Sequence, residues 1–299
     1  MAAVSHWISA FRLRTLPLAF SCILMGTFVA AQEGFFSWGV LTLSLVTTLF
    51  LQILSNLAND YGDSVSGVDS AEREGPSRAV QDGKISSLAM RNSLFVFSGL
   101  SFISGSILLI LCFGLSSIYT LIFLLIGFGA IAAAIKYTVG TSPYGYAGFG
   151  DFFVLVFFGL VGVAGSHFLH AHRISELVFL PAISCGLLAV GVLNVNNIRD
   201  IESDRKAGKK SIPVRIGKTN ALRYHVLLIA ISWILVSVYV IQVYESAWNF
   251  LFVITLPFFL VHLSKMLKSQ SAKDIDPLLK QLALSTMFFV LSFGIGLLI

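Results

Sequence analysis

Oxygen-bearing side chains are concentrated in two short stretches of this chain: Asn56-Leu-Ala-Asn59-Asp60-Tyr-Gly-Asp63 running on to Asp69, and Asn196-Asn197-Ile-Arg199-Asp200-Ile-Glu202-Ser-Asp204. Residues four apart on an α-helix share a face. Helical spacing therefore puts Asn196, Asp200 and Asp204 on one stripe, Asn59 with Asp63 on a second, and Asn56, Asp60 and Asp63 on a third beside it. Each stripe offers only oxygen. That suits hard cations that keep part of their water, above all Mg²⁺, which is usually held by one or two carboxylates together with substrate phosphates. Two acidic stretches around one polyphosphate imply more than one metal ion. Arg78, Arg199, Lys209, Lys210 and Arg215 add cationic donors for the same anion, so acid and base together point to a diphosphate. Either stretch alone would more often be a capped, solvated loop, and Lys206 to Lys210 an ordinary basic surface. Their occurrence together carries the chemical reading.

The elements that must position them are membrane helices. Hydrophobic residues make up 56% of the 299 residues and charged ones 12%, and the mean hydropathy is +0.86, which excludes an ordinary soluble domain. Segments long enough to span a bilayer as helix lie near 16–32, 37–57, 92–113, 117–137, 151–170, 176–196, 223–243, 247–265 and 281–299, giving an all-α polytopic membrane protein of nine helices. With the N-terminus on the cytoplasmic side, the inside loops hold every one of the 20 lysines and arginines except Arg173. Retention of positive residues on the cytoplasmic face supports that orientation and puts both acidic stretches there, each where a helix leaves the membrane. Ionisable groups in such a place are a functional-site hypothesis by default. The net charge of +5 is thus local, suited to anionic phosphates or lipid headgroups and not to nucleic acid.

The opening basic and apolar run ending at Val29-Ala30-Ala31 has features of a signal peptide, but Arg14-Thr-Leu-Pro17 begins it as a helix start and eight further spans follow. Cys22, Cys112 and Cys185 fall inside predicted helices without metal-ligand spacing and are read as packing residues. Residues 1–299 form one transmembrane domain in this reading. Spans 1–4 and 5–8 each carry an acidic stretch at the end of their second helix, which suggests two related four-helix halves facing one another, with the ninth span an extra.

The residues resemble the UbiA superfamily of intramembrane prenyltransferases, and within it the branch that prenylates 1,4-dihydroxy-2-naphthoate on the way to menaquinone. The likeness covers nearly the whole chain. It rests on Asn59-Asp60-Tyr-Gly-Asp63-Ser-Val-Ser-Gly67-Val-Asp69 with Gly75-Pro-Ser-Arg78, on Tyr137-Thr-Val-Gly140 followed by Pro143-Tyr-Gly-Tyr146, and on Asn196-Asn-Ile-Arg199-Asp200 to Asp204 followed by Gly208-Lys-Lys-Ser-Ile-Pro213-Val-Arg215-Ile-Gly217. The commoner superfamily spacing is Asp-x3-Asp; Asp63-x5-Asp69, with Asp60 in addition, resembles the menaquinone branch.

The resemblance implies a single-domain enzyme of the bacterial inner membrane that uses Mg²⁺. It would transfer a polyprenyl group from polyprenyl diphosphate to 1,4-dihydroxy-2-naphthoate, with release of CO2 and diphosphate, giving demethylmenaquinone. Asn59, Asp63 and Asp69 would serve one Mg²⁺, with Asp60 a direct or a supporting ligand, and Asn196, Asp200 and Asp204 the other. Arg199 and Lys209 would address the diphosphate, with Arg78, Lys136 and Tyr137 close to it or to the substrate. Tyr137, Tyr144 and Tyr146 flank a Gly/Pro-rich break that serves equally as a lid or as an interfacial anchor. Asp151 opens a helix, where its charge is already favoured, and His167, His170 and His172 fall on the far face, away from any metal. Most of the 26 phenylalanines are ordinary membrane-helix residues. Three rivals stay open: a prenyltransferase for another acceptor such as 4-hydroxybenzoate, an ion-coupled transporter with buried carboxylates, and a non-catalytic lipid-binding scaffold.

Overall fold

The computed structural model describes residues 3–66 and 78–299. Among them are nine helices long and apolar enough to cross a membrane: Val4–Gln32, Trp38–Val65, Ser87–Phe113, Ile118–Lys136, Gly150–Ala171, Glu176–Arg199, Lys218–Gln242, Ala247–Lys268 and Ala272–Leu298, here called spans 1 to 9. The observed helices are generally longer than the apolar runs that announce them. Span 2 continues through Val65, so Asn59, Asp60 and Asp63 lie within the helix instead of after it. Span 9 begins at Ala272 and takes in Lys273, Asp274, Asp276 and Lys280. It is started by a capping box between Ser271 and Asp274, which satisfies orphan backbone donors of the first turn.

Span 1 is broken at Arg12, whose φ of 49° is left-handed. The chain then makes one 3₁₀ turn over Leu13–Thr15 and restarts with Pro17 near the helix N-terminus, where a missing N–H does no harm. Span 5 contains an 11-residue π-helical stretch, Leu155–Gly165. Such stretches are rare and commonly mark functional sites. Here glycines let it approach its neighbours: Gly159 meets the carbonyl of Ala182 and the Cα of Gly186 on span 6, and Gly162 faces Cys22 on span 1.

Two large apolar cores and a smaller third, made by Val40, Leu108, Leu109 and Leu169 from spans 2, 3 and 5, organise the bundle. One gathers Cys22, Met25, Val163, Cys185, Leu188, Tyr239, Phe252, Leu282, Phe289 and Phe293 from spans 1 and 5 to 9. The other gathers Ala10, Leu54, Leu57, Met90 and Leu94, with Ile131 and Ala134 packed on it, from spans 1 to 4. Span 1 therefore belongs to both groups and packs along span 9, whereas span 4 leaves much of its surface to lipid. Cys22 and Cys185 lie 3.5 Å apart at their Sγ atoms without a disulfide.

The close approach at Gly26 generates a prediction. A Cβ there would fall inside contact distance of the Val163 carbonyl oxygen, while one on Gly127 would meet nothing within 4 Å. Overpacking against backbone costs about 1–3 kcal/mol. Gly26→Ala should therefore lower the thermal midpoint of the detergent-solubilised protein and Gly127→Ala should leave it unchanged; equal midpoints for the two variants would contradict the packing described.

Candidate active site

The acidic stretches meet at one end of a cavity of about 750 Å³. Asn59 and Asp63 come from the last turns of span 2. Asn196 and Asp200 come from the end of span 6, and Asp204 from the short helix Ile201–Lys206 that follows it. Helical bonding persists across this junction, with Asp200 N–H donating to Asn196 O at 3.1 Å and Asp204 N–H to Asp200 O at 2.8 Å. The stripe of Asn196, Asp200 and Asp204 thus presents all three of its residues to the cavity, as its spacing predicts.

Lys209 joins the two clusters. Its ammonium lies 3.1 Å from Asp204 Oδ1 and 3.8 Å from Asp63 Oδ1, and 4.8 Å from the centre of the Tyr146 ring. The local sequence explains how it gets there. After Ile201–Lys206 the chain turns through Gly208 at φ 73°, a left-handed position that favours glycine. Gly208 N–H donates to Arg205 O at 3.1 Å and Lys209 N–H to Asp204 O at 2.9 Å, so residue 209 folds back over the helix it has just left.

Each acid has a cation beside it. Asp63 is paired with Arg78 and accepts a hydrogen bond from the Tyr146 hydroxyl; Arg78 also donates to the Asn59 carbonyl. Arg199 grips Asp200 with two nitrogens, Nε to Oδ1 at 2.7 Å and Nη2 to Oδ2 at 2.8 Å, and Nη2 also reaches Asn196 Oδ1 at 2.8 Å. Its third nitrogen, Nη1, donates to Asp276 Oδ1 at 2.6 Å. Asp63, Asp200, Asp204, Arg78 and Arg199 are all at most 6% exposed, and only mutual pairing makes such burial tolerable. Burial first, then the neighbouring charges of Asp200 and Asp63, pushes the Asp204 carboxyl up, against the opposing pull of Lys209.

The Pro143-Tyr-Gly-Tyr146 loop folds down onto this polar end. Tyr144 OH donates to the Ala133 carbonyl at 2.9 Å, Lys210 N–H to the Tyr146 carbonyl at 2.8 Å, and Arg215 Nη2 to the Ala147 carbonyl at 2.7 Å. Burial raises the hydroxyls of Tyr137, Tyr144 and Tyr146 above the ordinary tyrosine value, with Asp63 adding to the shift at Tyr146. They stay neutral donors at physiological pH. Beyond them the cavity runs between apolar walls that include Leu51, Leu109, Ala130, Phe153, Phe157 and Leu169.

Some expected residues are placed elsewhere. Asp60 is buried but does not line the cavity; its oxygens accept the backbone N–H groups of Ala79 at 3.1 Å and Val80 at 3.3 Å. Lys136 is exposed and also stands outside the cavity. Asp69 lies outside the described residues, as does Gly75. Asp151 accepts from Tyr224 OH at 2.9 Å, away from the lining. His167 sits 3.3 Å from Glu33, and His170 contacts Thr27 and Ser37. Arg14, Thr138 and Asp276 were not singled out by sequence, yet Arg14 and Thr138 line the cavity and Asp276 holds Arg199. Among the described residues no three His, Cys, Asp or Glu side chains converge as a closed metal site. Each cluster instead offers carboxylate and amide oxygens, the donor class that Mg²⁺ takes alongside substrate phosphates.

The model of the UbiA prenyltransferase family matches residues 19–293. The 1,4-dihydroxy-2-naphthoate octaprenyltransferase of Haemophilus influenzae is 42% identical over 98% of this chain and 96% of its own length. A UbiA homolog from Aeropyrum pernix K1 superposes with a TM-score of 0.69 at 17% identity, covering 99% of each chain. Another from Archaeoglobus fulgidus, bound to GPP and Mg²⁺, superposes at 0.61 with 19% identity, covering 97% of this chain and 99% of that one.

Lys209→Met leaves Asp63 and Asp204 facing each other without their shared cation, so the Asp204 carboxyl should rise further. For a carboxyl raised in the folded state, the penalty is absent below the unfolded pKa, grows as pH rises, and is complete above the folded pKa. The variant should therefore melt below the wild type at neutral pH, with the gap closing on acidification. A gap independent of pH would contradict the bridging role.

Proposed function

This chain belongs to the UbiA prenyltransferase family, and from that premise we propose how its cavity transfers a polyprenyl group from polyprenyl diphosphate to 1,4-dihydroxy-2-naphthoate. It is a multi-pass membrane enzyme of menaquinone synthesis. The placement of Lys209 carries the site assignment: it joins Asp63 of span 2 to Asp204 of the short helix after span 6, within reach of one small anion. The polar end faces the cytoplasm, a placement supported by the charge bias of the loops.

The donor set fits Mg²⁺. Asn59, Asp63 and Asp69 would hold one ion and Asn196, Asp200 and Asp204 another; when bound, the metal supplies positive charge against the diphosphate. That use of oxygen ligands accords with the Archaeoglobus fulgidus homolog, which was bound to GPP and Mg²⁺. Asp60 is assigned a positioning role, because its carboxylate ties down the segment that begins at Arg78.

Around the diphosphate, Arg78, Arg199 and Lys209 bind oxygens and offset the charge that develops as the bond from allylic carbon to oxygen breaks. Tyr146 adds a neutral hydroxyl donor beside Asp63. The departing pair of electrons stays with diphosphate, leaving positive charge on the allylic carbon. Ring faces shelter such a charge, and Tyr144, 4.1 Å from Phe153 between ring centres, with Phe157 beyond, provides them next to the polar end. The naphthoate ring attacks through the carbon bearing its carboxylate. A carbon–carbon bond forms, the bond to the carboxylate carbon breaks with its electrons returning to the ring, and CO2 leaves, giving demethylmenaquinone in its quinol form. The apolar walls exclude water that would otherwise quench the cation.

The test is a membrane assay with 1,4-dihydroxy-2-naphthoate and a labelled polyprenyl diphosphate, with and without Mg²⁺. Wild-type protein should give a decarboxylated, prenylated quinol only with the metal, and Asp63→Asn and Asp200→Asn should each lower the rate by roughly 100-fold or more. Product with 4-hydroxybenzoate instead would retain the site and overturn the acceptor. Turnover unaffected by chelation would overturn the metal assignment.

A further inference from the structure

The Arg199 guanidinium spreads over three partners: both oxygens of Asp200, the amide oxygen of Asn196, and Asp276 Oδ1. Asp276 stands apart from the acidic stretches in sequence, in the first turns of span 9 beside Pro277. Its other oxygen, Oδ2, lies 3.8 Å from Arg14 Nη1. One carboxylate thus touches two arginines of the cavity mouth, from spans 1 and 6, without itself lining the cavity. It is 32% exposed, whereas the Arg199 side chain is 2% exposed.

This arrangement matters because Asp200 has no oxygen clear of Arg199. A cation that recruits Asp200 must draw electron density from the Arg199 pair, and a buried guanidinium left without a counter-charge is strongly disfavoured. Asp276 removes that obstacle. It neutralises Arg199 through Nη1, on the side away from Asp200, so the Asp200 carboxylate can turn toward a cation while the guanidinium stays in place. Asp276 also restrains Arg14, so both arginines remain directed at the mouth.

We propose that Asp276 is a positioning residue that frees Asp200 for divalent-metal binding by serving as the alternative anionic partner of Arg199. Its basis is the assignment of Asp200 as a metal ligand. Without the Asp276 charge, Arg199 is balanced by Asp200 alone; the pair tightens and the metal has to compete with it. Because the metal rides on one side of the pair, the loss should appear in metal affinity well before it appears in the saturated rate.

The test is a titration of purified protein in detergent with Mg²⁺ at saturating polyprenyl diphosphate and no acceptor, read as the rise in thermal midpoint. No turnover is needed for this signal. Asp276→Asn should raise the Mg²⁺ concentration at half-effect roughly tenfold, Asp276→Glu should restore most of the wild-type value by keeping the charge, and Glu202→Gln, removing an exposed acid on the same face, should match wild type. In the assay with acceptor, kcat at saturating Mg²⁺ should fall by less than the shift in midpoint. An Asn variant that is merely less stable, with its Mg²⁺ midpoint unmoved, would overturn the proposal. Should the Asn variant fail to fold, Asp276→Ser decides: it too removes the charge, so its Mg²⁺ midpoint should rise by a similar factor, and an unmoved midpoint overturns the proposal. If the wild type itself shows no Mg²⁺-dependent stabilisation, the metal assignment of Asp200 fails instead, a result distinct from loss of the Asp276 effect.

Discussion

Three carboxylates buried to within a few per cent exposure at the end of an apolar bundle impose the constraint on which the rest depends. An isolated carboxylate in such a place would take up a proton or stay in water. Here each is held against a cation: Asp63 by Arg78, Asp200 by Arg199, Asp204 by Lys209. The cations do not simply cancel the acids. In the proposed function they also meet the incoming diphosphate, so the side chains that make burial of the acids tolerable would be the ones that favour binding of the anion. The turn at Gly208 and the fold-back of the Tyr144–Tyr146 loop are the backbone means of delivering them.

The apolar remainder of the cavity follows from the opposite requirement. Its walls come from helices whose small residues and π-helical segment leave space, and whose aromatic rings lie next to the polar end. A diphosphate head and a hydrocarbon tail have opposite solvent demands. A cavity polar at one end and apolar along its length meets both with one continuous surface.

Much of this was legible from residues alone. Long apolar runs announce spans, and Asn196, Asp200 and Asp204 at helical spacing do share a face, because helical bonding runs on through residue 204. Legibility ended where side-chain partners come from distant sequence. Asp60 matches the acidic pattern as well as Asp63 does, yet a rotation of three residues along the helix turns it to the backbone of residues 79 and 80 instead of the cavity. Lys136 lies beside Tyr137 in sequence but is exposed, while Arg14 and Thr138 reach the lining. Asp276 sits in a stretch of mixed charge that looks like any loop near a membrane face; only the packing of span 9 against spans 1 and 6 gives it a role. The π-helical segment had no signal in composition, since its glycines and valines read equally well as ordinary helix.

The pairing of the first span with the last has a bearing on biogenesis. Span 1 lays Ser21 beside Met287 and Phe28 against Gly294, with 266 residues separating Ser21 from its partner along the chain. Until span 9 is made, then, the growing protein holds span 1 in the membrane without this neighbour. The hydroxyls of Ser21 and Thr27 are shielded in that interval by bonds to their own helix, to Pro17 O at 2.6 Å and Ile23 O at 2.9 Å. Closure of the bundle is thereby a late, long-range event, and a nascent chain stalled before span 9 would lack both the wall of its core and the carboxylate that steadies its arginines.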